Sequence, residues 1–161
     1  MSRLRLAVVS CGFLGCAPVA PGTFGTLGGV ALAWALAGTS GYVVWSLLAC
    51  AAIYVVGRSL GPWSEAYAGS KDPGIFVLDE VIGYLLTVAW IHGPSYLTLV
   101  LGFFVFRFFD IFKPPPARRL ERIRGGDGIL LDDVVAGLYG FAAMAAARLA
   151  LPDLAWNAPQ I

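Results

Sequence analysis

The stretch "ILLDDVVAGLYGF", from Ile129 to Phe141, places two adjacent aspartates, Asp132 and Asp133, inside an otherwise apolar run. A carboxylate is costly to bury without a partner, and two neighbouring carboxylates repel each other. The pair therefore needs compensation by cationic side chains, by a metal ion or by the positive end of a helix. The charged residues elsewhere in the sequence indicate which of these three kinds of compensation is available.

The composition indicates that much of the surface does not face water. The chain has 161 residues, of which 58% are hydrophobic and 13% charged, and its mean hydropathy is +0.77. Soluble domains carry about 25% charged residues. We therefore predict one domain, residues 1–161, whose solvent is largely lipid. A formal net charge of +1 gives no indication of a nucleic-acid partner.

Apolar runs recur along the chain between Gly, Pro or charged breaks. They cover residues 24–38, 42–57, 75–91, 96–112 and 129–151. Several reach about 17 residues, the lower limit for a helix that spans a bilayer. They lack the strict alternation of barrel strands, so helices are the expected structure. The prediction is an all-α integral membrane bundle of about four to five transmembrane helices.

Loop charges predict the orientation of these helices. The breaks at 38–41 and 92–95 contain no Lys or Arg. The break at 58–72 contains Arg58 and Lys71, and the break at 113–127 contains Lys113, Arg118, Arg119, Arg122 and Arg124. Cytoplasmic loops carry an excess of Lys and Arg, so the amino terminus and both basic breaks are predicted to face the cytoplasm.

This topology gathers the charged residues of the apolar runs at one membrane face. They are Asp79 and Glu80 at the start of the third run, Arg107 and Asp110 at the end of the fourth, Lys113 just after it, and Asp132 and Asp133 at the start of the fifth. Ionisable residues in membrane segments are functional candidates. A polar site at the cytoplasmic ends of the helices is therefore predicted.

The residue types in this set suit a phosphate and a hard cation. Asp79 and Glu80 can offer oxygens to an ion such as Mg²⁺, although the alternative is that they only complement a helix dipole. Arg107, Asp110 and Lys113 follow each other at intervals of three and share a helix face. They can grip phosphate, or Arg107 and Asp110 can simply neutralise each other.

Two glycine-rich stretches flank this set, at 20–29 and 124–133. In the first, Thr23 can contact phosphate, whereas the spacing of Gly25 and Gly29 also suits close helix packing. In the second, glycine turns can present backbone N–H groups to an anion at a helix start. The single histidine, His92, lies on the predicted opposite face, so a Ser-His-Asp arrangement is not expected.

Together these segments resemble the phosphatidylglycerophosphatase A family. The resemblance runs from Pro21 to Gly137 and rests on "APGTFGTLGG", "DPGIFVLDEVIGYLLT" and "FRFFDIFKPPPARRLERIRGGDGILLDDVVAG". It implies a Mg²⁺-dependent phosphatase of the bacterial inner membrane that converts phosphatidylglycerophosphate to phosphatidylglycerol. Carried over by position, the family's acidic residues fall on Asp79, Glu80, Asp110, Asp132 and Asp133, and its basic residues on Arg107 and Lys113. The chain departs from the family pattern at Glu121 and Arg124, where Asp and His are frequent.

The resulting hypothesis is that the five acids hold Mg²⁺ and carry the catalysis, while Arg107, Lys113 and Thr23 bind the phosphate of a lipid substrate. One carboxylate not fully used by metal can serve as general base, and Asp133 is our candidate. One alternative is a small transporter or cation-conducting protein, which would place acids at several membrane depths. Another is a non-catalytic lipid-binding subunit in which the charges merely pair.

Overall fold

The computed structural model describes residues 2–120, 123 and 125–158. Over these residues the regular structure is helical, as predicted, with a single 3₁₀ turn at Leu14–Cys16. The helices are α1 (Ser2–Val9), α2 (Pro21–Leu36), α3 (Tyr42–Ala68), α4 (Leu78–Thr87), α5 (Tyr96–Phe112), α6 (Ala117–Leu120) and α7 (Gly126–Ala150).

Helix α4 is the centre of the bundle. It packs against α2, α3, α5 and α7, and Tyr84 and Leu85 on it are fully buried. The Tyr84 hydroxyl donates a 2.9 Å hydrogen bond to the carbonyl oxygen of Leu99 on α5. With 10 residues, α4 is about 15 Å long, roughly half of a bilayer's hydrocarbon core. The third apolar run therefore forms a short buried helix with irregular flanks rather than one long helix.

Two helices of the described chain, α3 and α7, are long and apolar enough to cross a membrane. Only 17% of the most apolar window of α3 is buried in the bundle. The core helix of a water-soluble protein would bury most of such a window. Helices α2 and α5 have 16 and 17 residues, so the predicted number of spans stays a prediction.

Two boundaries predicted from the sequence are wrong. The basic break at 58–72 is helical as far as Ala68, with Pro62 inside α3. Pro62 cannot donate to the carbonyl of Arg58, and the backbone of Gly126 packs against that carbonyl from α7. Helix α7 begins at Gly126, so Asp132 and Asp133 lie nearly two turns inside it. The helix dipole acts mainly within the first turn and does little for them.

The backbones of helices α4 and α7 pack against each other at two glycines, Gly83 and Gly137. A Cβ at Gly137 would lie 2.9 Å from the Cα of Gly83, and a Cβ at Gly83 would lie 2.7 Å from the carbonyl oxygen of Asp133. Side chains at either position would push the helices apart. Gly83 therefore admits the neighbouring helix α7.

The far end of the bundle is closed by the segment that follows α7. The guanidinium carbon of Arg148 lies 4.9 Å from the ring centre of Trp90 and 5.2 Å from that of Trp156. The carbonyl of Trp156 accepts a hydrogen bond of 3.0 Å from the backbone N–H of Ser95. This end holds the two loops that lack Lys and Arg.

We predict that Gly137→Val lowers the apparent melting temperature in detergent by the equivalent of about 1–3 kcal/mol, because the added carbons overpack the contact with Gly83. Thermal unfolding followed by circular dichroism measures this. The matched control is Ala146→Val, an exposed position on the same helix with the same β-branched product. Equal melting temperatures for the two variants would contradict the close-contact interpretation.

Candidate active site

A polar cavity of about 380 Å³ opens at the end of the bundle where α2 and α4 begin and α5 ends. Its lining comes from five separate parts of the chain. The lining residues are Ala20, Pro21, Gly22, Asp72, Gly74, Phe76, Asp79, Glu80, Arg107, Asp110, Ile111, Lys113 and Asp133. Six of the eight residues predicted for the site, all except Thr23 and Asp132, therefore meet at this one cavity.

Three carboxylates form the floor of the cavity. Asp79 and Glu80 lie in the first turn of α4, and Asp133 comes from α7. One oxygen of each lies within 4.8 Å of the others. Asp79 is 7% exposed and Asp133 only 3% exposed. The close approach of α4 and α7 at Gly83 and Gly137 brings Asp133 to this position.

This arrangement fits a divalent cation. Asp79 Oδ1 and Glu80 Oε2 are buried without a hydrogen-bond partner. Buried polar atoms are normally satisfied, and like charges this close repel each other. A set of three carboxylates with unused oxygens is the donor set that Mg²⁺ or another hard cation prefers.

Two ion pairs border the carboxylate cluster. Arg107 Nη1 donates to Asp110 Oδ2 within α5. Lys113 Nζ lies 2.6 Å from Asp132 Oδ2 on α7, while Asp132 Oδ1 has no partner. Asp110 and Asp132 therefore orient the two cations predicted to bind phosphate. Whether these two acids also ligate metal stays a prediction.

Gly22 in the first turn of α2 keeps the cavity open beside Arg107. A Cβ at this position would lie 3.1 Å from Arg107 Nη1 and against the carboxylate of Glu80. A side chain here would occupy the space between the guanidinium and the acids. This is the space that an oxyanion held by Arg107 would need.

The comparison with known proteins agrees with this geometry. The family model described as phosphatidylglycerophosphatase A matches residues 7–148. The chain belongs to this family.

Three relatives extend the comparison. Phosphatidylglycerophosphatase A from Haemophilus influenzae is 37% identical over 121 residues, which cover 74% of each chain. Its Escherichia coli K12 counterpart is 33% identical over 143 residues, 85% of this chain and 82% of the relative. A Bacteroides thetaiotaomicron protein named "Putative phosphatidylinositol-3-phosphatase" is 34% identical over 143 residues, 83% of this chain and 87% of the relative. No solved structure matches the chain.

Two glycines of the first glycine-rich stretch serve helix packing. Gly25 faces the side chain of Val77, and Gly29 faces Tyr84. Thr23 is half-buried and follows the lining residues Pro21 and Gly22 without itself lining the cavity. Its phosphate contact stays a prediction of the phosphatidylglycerophosphatase A resemblance.

The second glycine-rich stretch is held against α3. Asp127 accepts a 2.7 Å hydrogen bond from the Tyr54 hydroxyl and lies 3.2 Å from Arg58 Nε. Gly126 and Gly128 are already part of α7. Side chains of α3 therefore hold the start of α7 in place.

The structure adds Asp72, which the sequence analysis does not single out. It lines the same cavity as Asp79 and Glu80. Its φ is +50°, a left-handed conformation that Asp tolerates better than most residues. The signal in the sequence is the Asp-Pro-Gly turn at 72–74, directly before α4.

Arg118 and Arg119, in the basic break at 113–127, do not line the polar cavity. Arg118 donates to the carbonyl of Phe112 over 3.2 Å, and Arg119 is exposed. Glu121, Arg122 and Arg124 lie outside the described residues, so the two departures from the family pattern have no structural account.

We predict that Mg²⁺ or Mn²⁺ raises the melting temperature of the purified protein, because a ligand that binds only the folded state stabilises it by mass action. Asp133→Asn should lose most of this rise, as should Glu80→Gln. Differential scanning fluorimetry over a metal titration measures the effect. Asp153→Asn removes an exposed carboxylate and should respond like the wild type. A full metal-dependent rise in Asp133→Asn would argue against the cluster as a metal site.

Proposed function

We propose that this chain is a Mg²⁺-dependent lipid phosphatase that hydrolyses phosphatidylglycerophosphate to phosphatidylglycerol and phosphate. One observation carries the proposal: Asp79, Glu80 and Asp133 bring oxygens within 4.8 Å of one another, in a cavity that Arg107 and Lys113 also line. Carboxylates for a metal beside cations for a phosphate are the parts that phosphoryl transfer requires. Family membership supports the same activity.

Arg107 and Lys113 would hold the phosphate. The guanidinium of Arg107 can donate two parallel hydrogen bonds to phosphate oxygens, while Lys113 supplies a compact positive charge. Asp110 and Asp132 hold these two side chains in place before the substrate arrives. Donors aimed in advance at the oxygens that gain charge stabilise the transition state without reorganising.

Asp79, Glu80 and Asp133 would hold the metal. When bound by these residues, Mg²⁺ would supply charge neutralisation of the phosphomonoester and would help to activate water. Among the chain's own groups, one carboxylate has to accept the proton of the attacking water. The new bond joins the water oxygen to phosphorus, and the bond from phosphorus to the headgroup glycerol oxygen breaks. That oxygen takes up a proton from solvent and leaves as a neutral alcohol, and the carboxylate then returns its proton to solvent. Asp133 is our candidate for the proton acceptor.

The membrane is the proposed location of the reaction. The apolar surface of α3 that faces away from the bundle needs a lipid environment, and the bundle exposes large aromatic residues such as Phe104 and Trp45. The segments next to the cavity contain Lys71, Lys113, Arg118 and Arg119. The loops at the far end of the bundle have no Lys or Arg. The positive-inside rule then supports the bacterial inner membrane with the cavity facing the cytoplasm.

A phosphoinositide is the second candidate substrate, because one relative is named for a phosphatidylinositol phosphate. Both lipids carry a phosphomonoester, which the cavity's cations and carboxylates suit equally. The family model and two relatives favour phosphatidylglycerophosphate. The cation-conducting alternative is less well supported, since the predicted acids gather at one end of the bundle instead of along a path.

The activity is tested with purified protein and phosphatidylglycerophosphate. We expect phosphate release that requires Mg²⁺, and a loss of at least about 100-fold in Asp79→Asn and Asp132→Asn, comparable to removing one key transition-state contact. Malachite-green detection of phosphate measures both. Phosphatidylinositol 3-phosphate is assayed in parallel to decide between the two lipids. Metal-independent release, or full activity in both variants, would sink the metal-carboxylate mechanism.

The orientation is tested with single cysteines at Ser70 and Ser40, both exposed positions, in a variant without Cys11, Cys16 and Cys50. A membrane-impermeant maleimide should label Ser40→Cys in intact spheroplasts and Ser70→Cys only after permeabilisation. The physical reason is the asymmetry of loop charge. The reverse pattern would place the cavity on the outer face.

A further inference from the structure

An apolar groove runs along the outer surface of the bundle between α2 and α5. It has a volume of about 270 Å³ and is lined by Leu27, Val30, Leu99, Val100, Phe103 and Phe104. Leu99 is buried at 5% exposure, whereas Leu27, Val100 and Phe104 are 45%, 55% and 65% exposed. The groove therefore has a closed floor and open walls, and none of its lining side chains offers a hydrogen bond.

The groove and the polar cavity share one face of α5. Val100, Phe104, Arg107 and Ile111 follow each other at intervals of four, three and four residues, which keeps them in one row on a helix. Arg107 and Ile111 line the polar cavity. Phe104 lies one turn before Arg107, about 4.5 Å along the axis. Ile111 is 72% exposed, so the rim of the cavity is itself apolar.

The same continuity holds on α2, the opposite wall. Thr23, Leu27 and Val30 are spaced at intervals of four and three residues and share a face. Thr23 directly follows Gly22, which lines the polar cavity. Because α2 begins and α5 ends at the cavity, the groove between them leads away from the phosphate site along the bundle.

We propose that this groove binds an acyl chain of the lipid whose phosphate lies in the polar cavity. The inference rests on the proposed function, because the phosphomonoester of that substrate is joined through a headgroup glycerol and a phosphodiester to the glycerol that carries the acyl chains. A row of purely apolar side chains that runs along α5 away from Arg107 matches this connectivity. The groove thereby favours an acylated substrate over its water-soluble headgroup.

The test compares two substrates of the same reaction: dioleoyl phosphatidylglycerophosphate in mixed micelles and its deacylated, water-soluble headgroup phosphate. Val100→Trp and Leu27→Trp fill the groove from its two walls. We expect each to lower the ratio of kcat/KM values, acylated over deacylated, at least tenfold. The matched control is Val55→Trp, an exposed valine of α3, which should retain the wild-type ratio.

A second measurement does not depend on turnover. Phosphatidylglycerophosphate with a diazirine in one acyl chain is photolysed with the Asp79→Asn variant. Peptides containing residues 27–30 and 99–104 should be labelled, and excess unlabelled lipid substrate should suppress this labelling more than that of α3.

The possible outcomes distinguish failure of the groove proposal from failure of the proposed function. If the wild type hydrolyses the lipid but all three Trp variants keep its ratio, the groove proposal is overturned and the proposed function stands. If light scattering shows that Val100→Trp changes the oligomeric state at an unchanged ratio, the groove is an interface between copies of the chain. If the wild type releases phosphate from neither substrate, the proposed function itself fails.

Discussion

The close approach of α4 and α7 holds three carboxylates together against their mutual repulsion. Gly83 and Gly137 let the two backbones meet, and this contact sets Asp133 beside Asp79 and Glu80. Asp79 and Asp133 are buried and Glu80 is half-buried in a site that apolar helices surround, where a charge without compensation is expensive. The cations that line the cavity can be explained by this need to compensate the carboxylate charge. The site is therefore defined by a helix contact that itself contains no charged atom.

The compensation is only partial within the chain's own side chains. Arg107 is paired with Asp110, and Lys113 with Asp132, whereas Asp79 Oδ1 and Glu80 Oε2 are buried without a hydrogen-bond partner. A divalent ion would neutralise these acids, and an incoming phosphate would engage the cations. Under the proposed function, this one cavity would hold both a metal and an anion.

Much of the site was predictable from the sequence because charge inside apolar runs is rare and conspicuous. The set Asp79, Glu80, Arg107, Asp110, Lys113 and Asp133 follows from that signal, and these six residues line one cavity. Asp72 was harder to find, since it lies in a turn outside the apolar runs. The predicted start of α7 is too late because Gly126 and Gly128 lie in its first turn, and glycine normally indicates a break. Here Gly126 begins the helix and packs against the backbone of Arg58 on α3.

The sequence by itself determined the helical class and the gathering of ionisable residues at one end of the helices. Hydrophobic run length and loop charge carry that information locally, residue by residue. Only the tertiary structure decided which carboxylates meet, which two pair with cations, and that an apolar groove lies between α2 and α5. These features depend on the distance between helices far apart in the chain. Small-residue contacts such as Gly83 with Gly137 set that distance, and no local pattern specifies the partner.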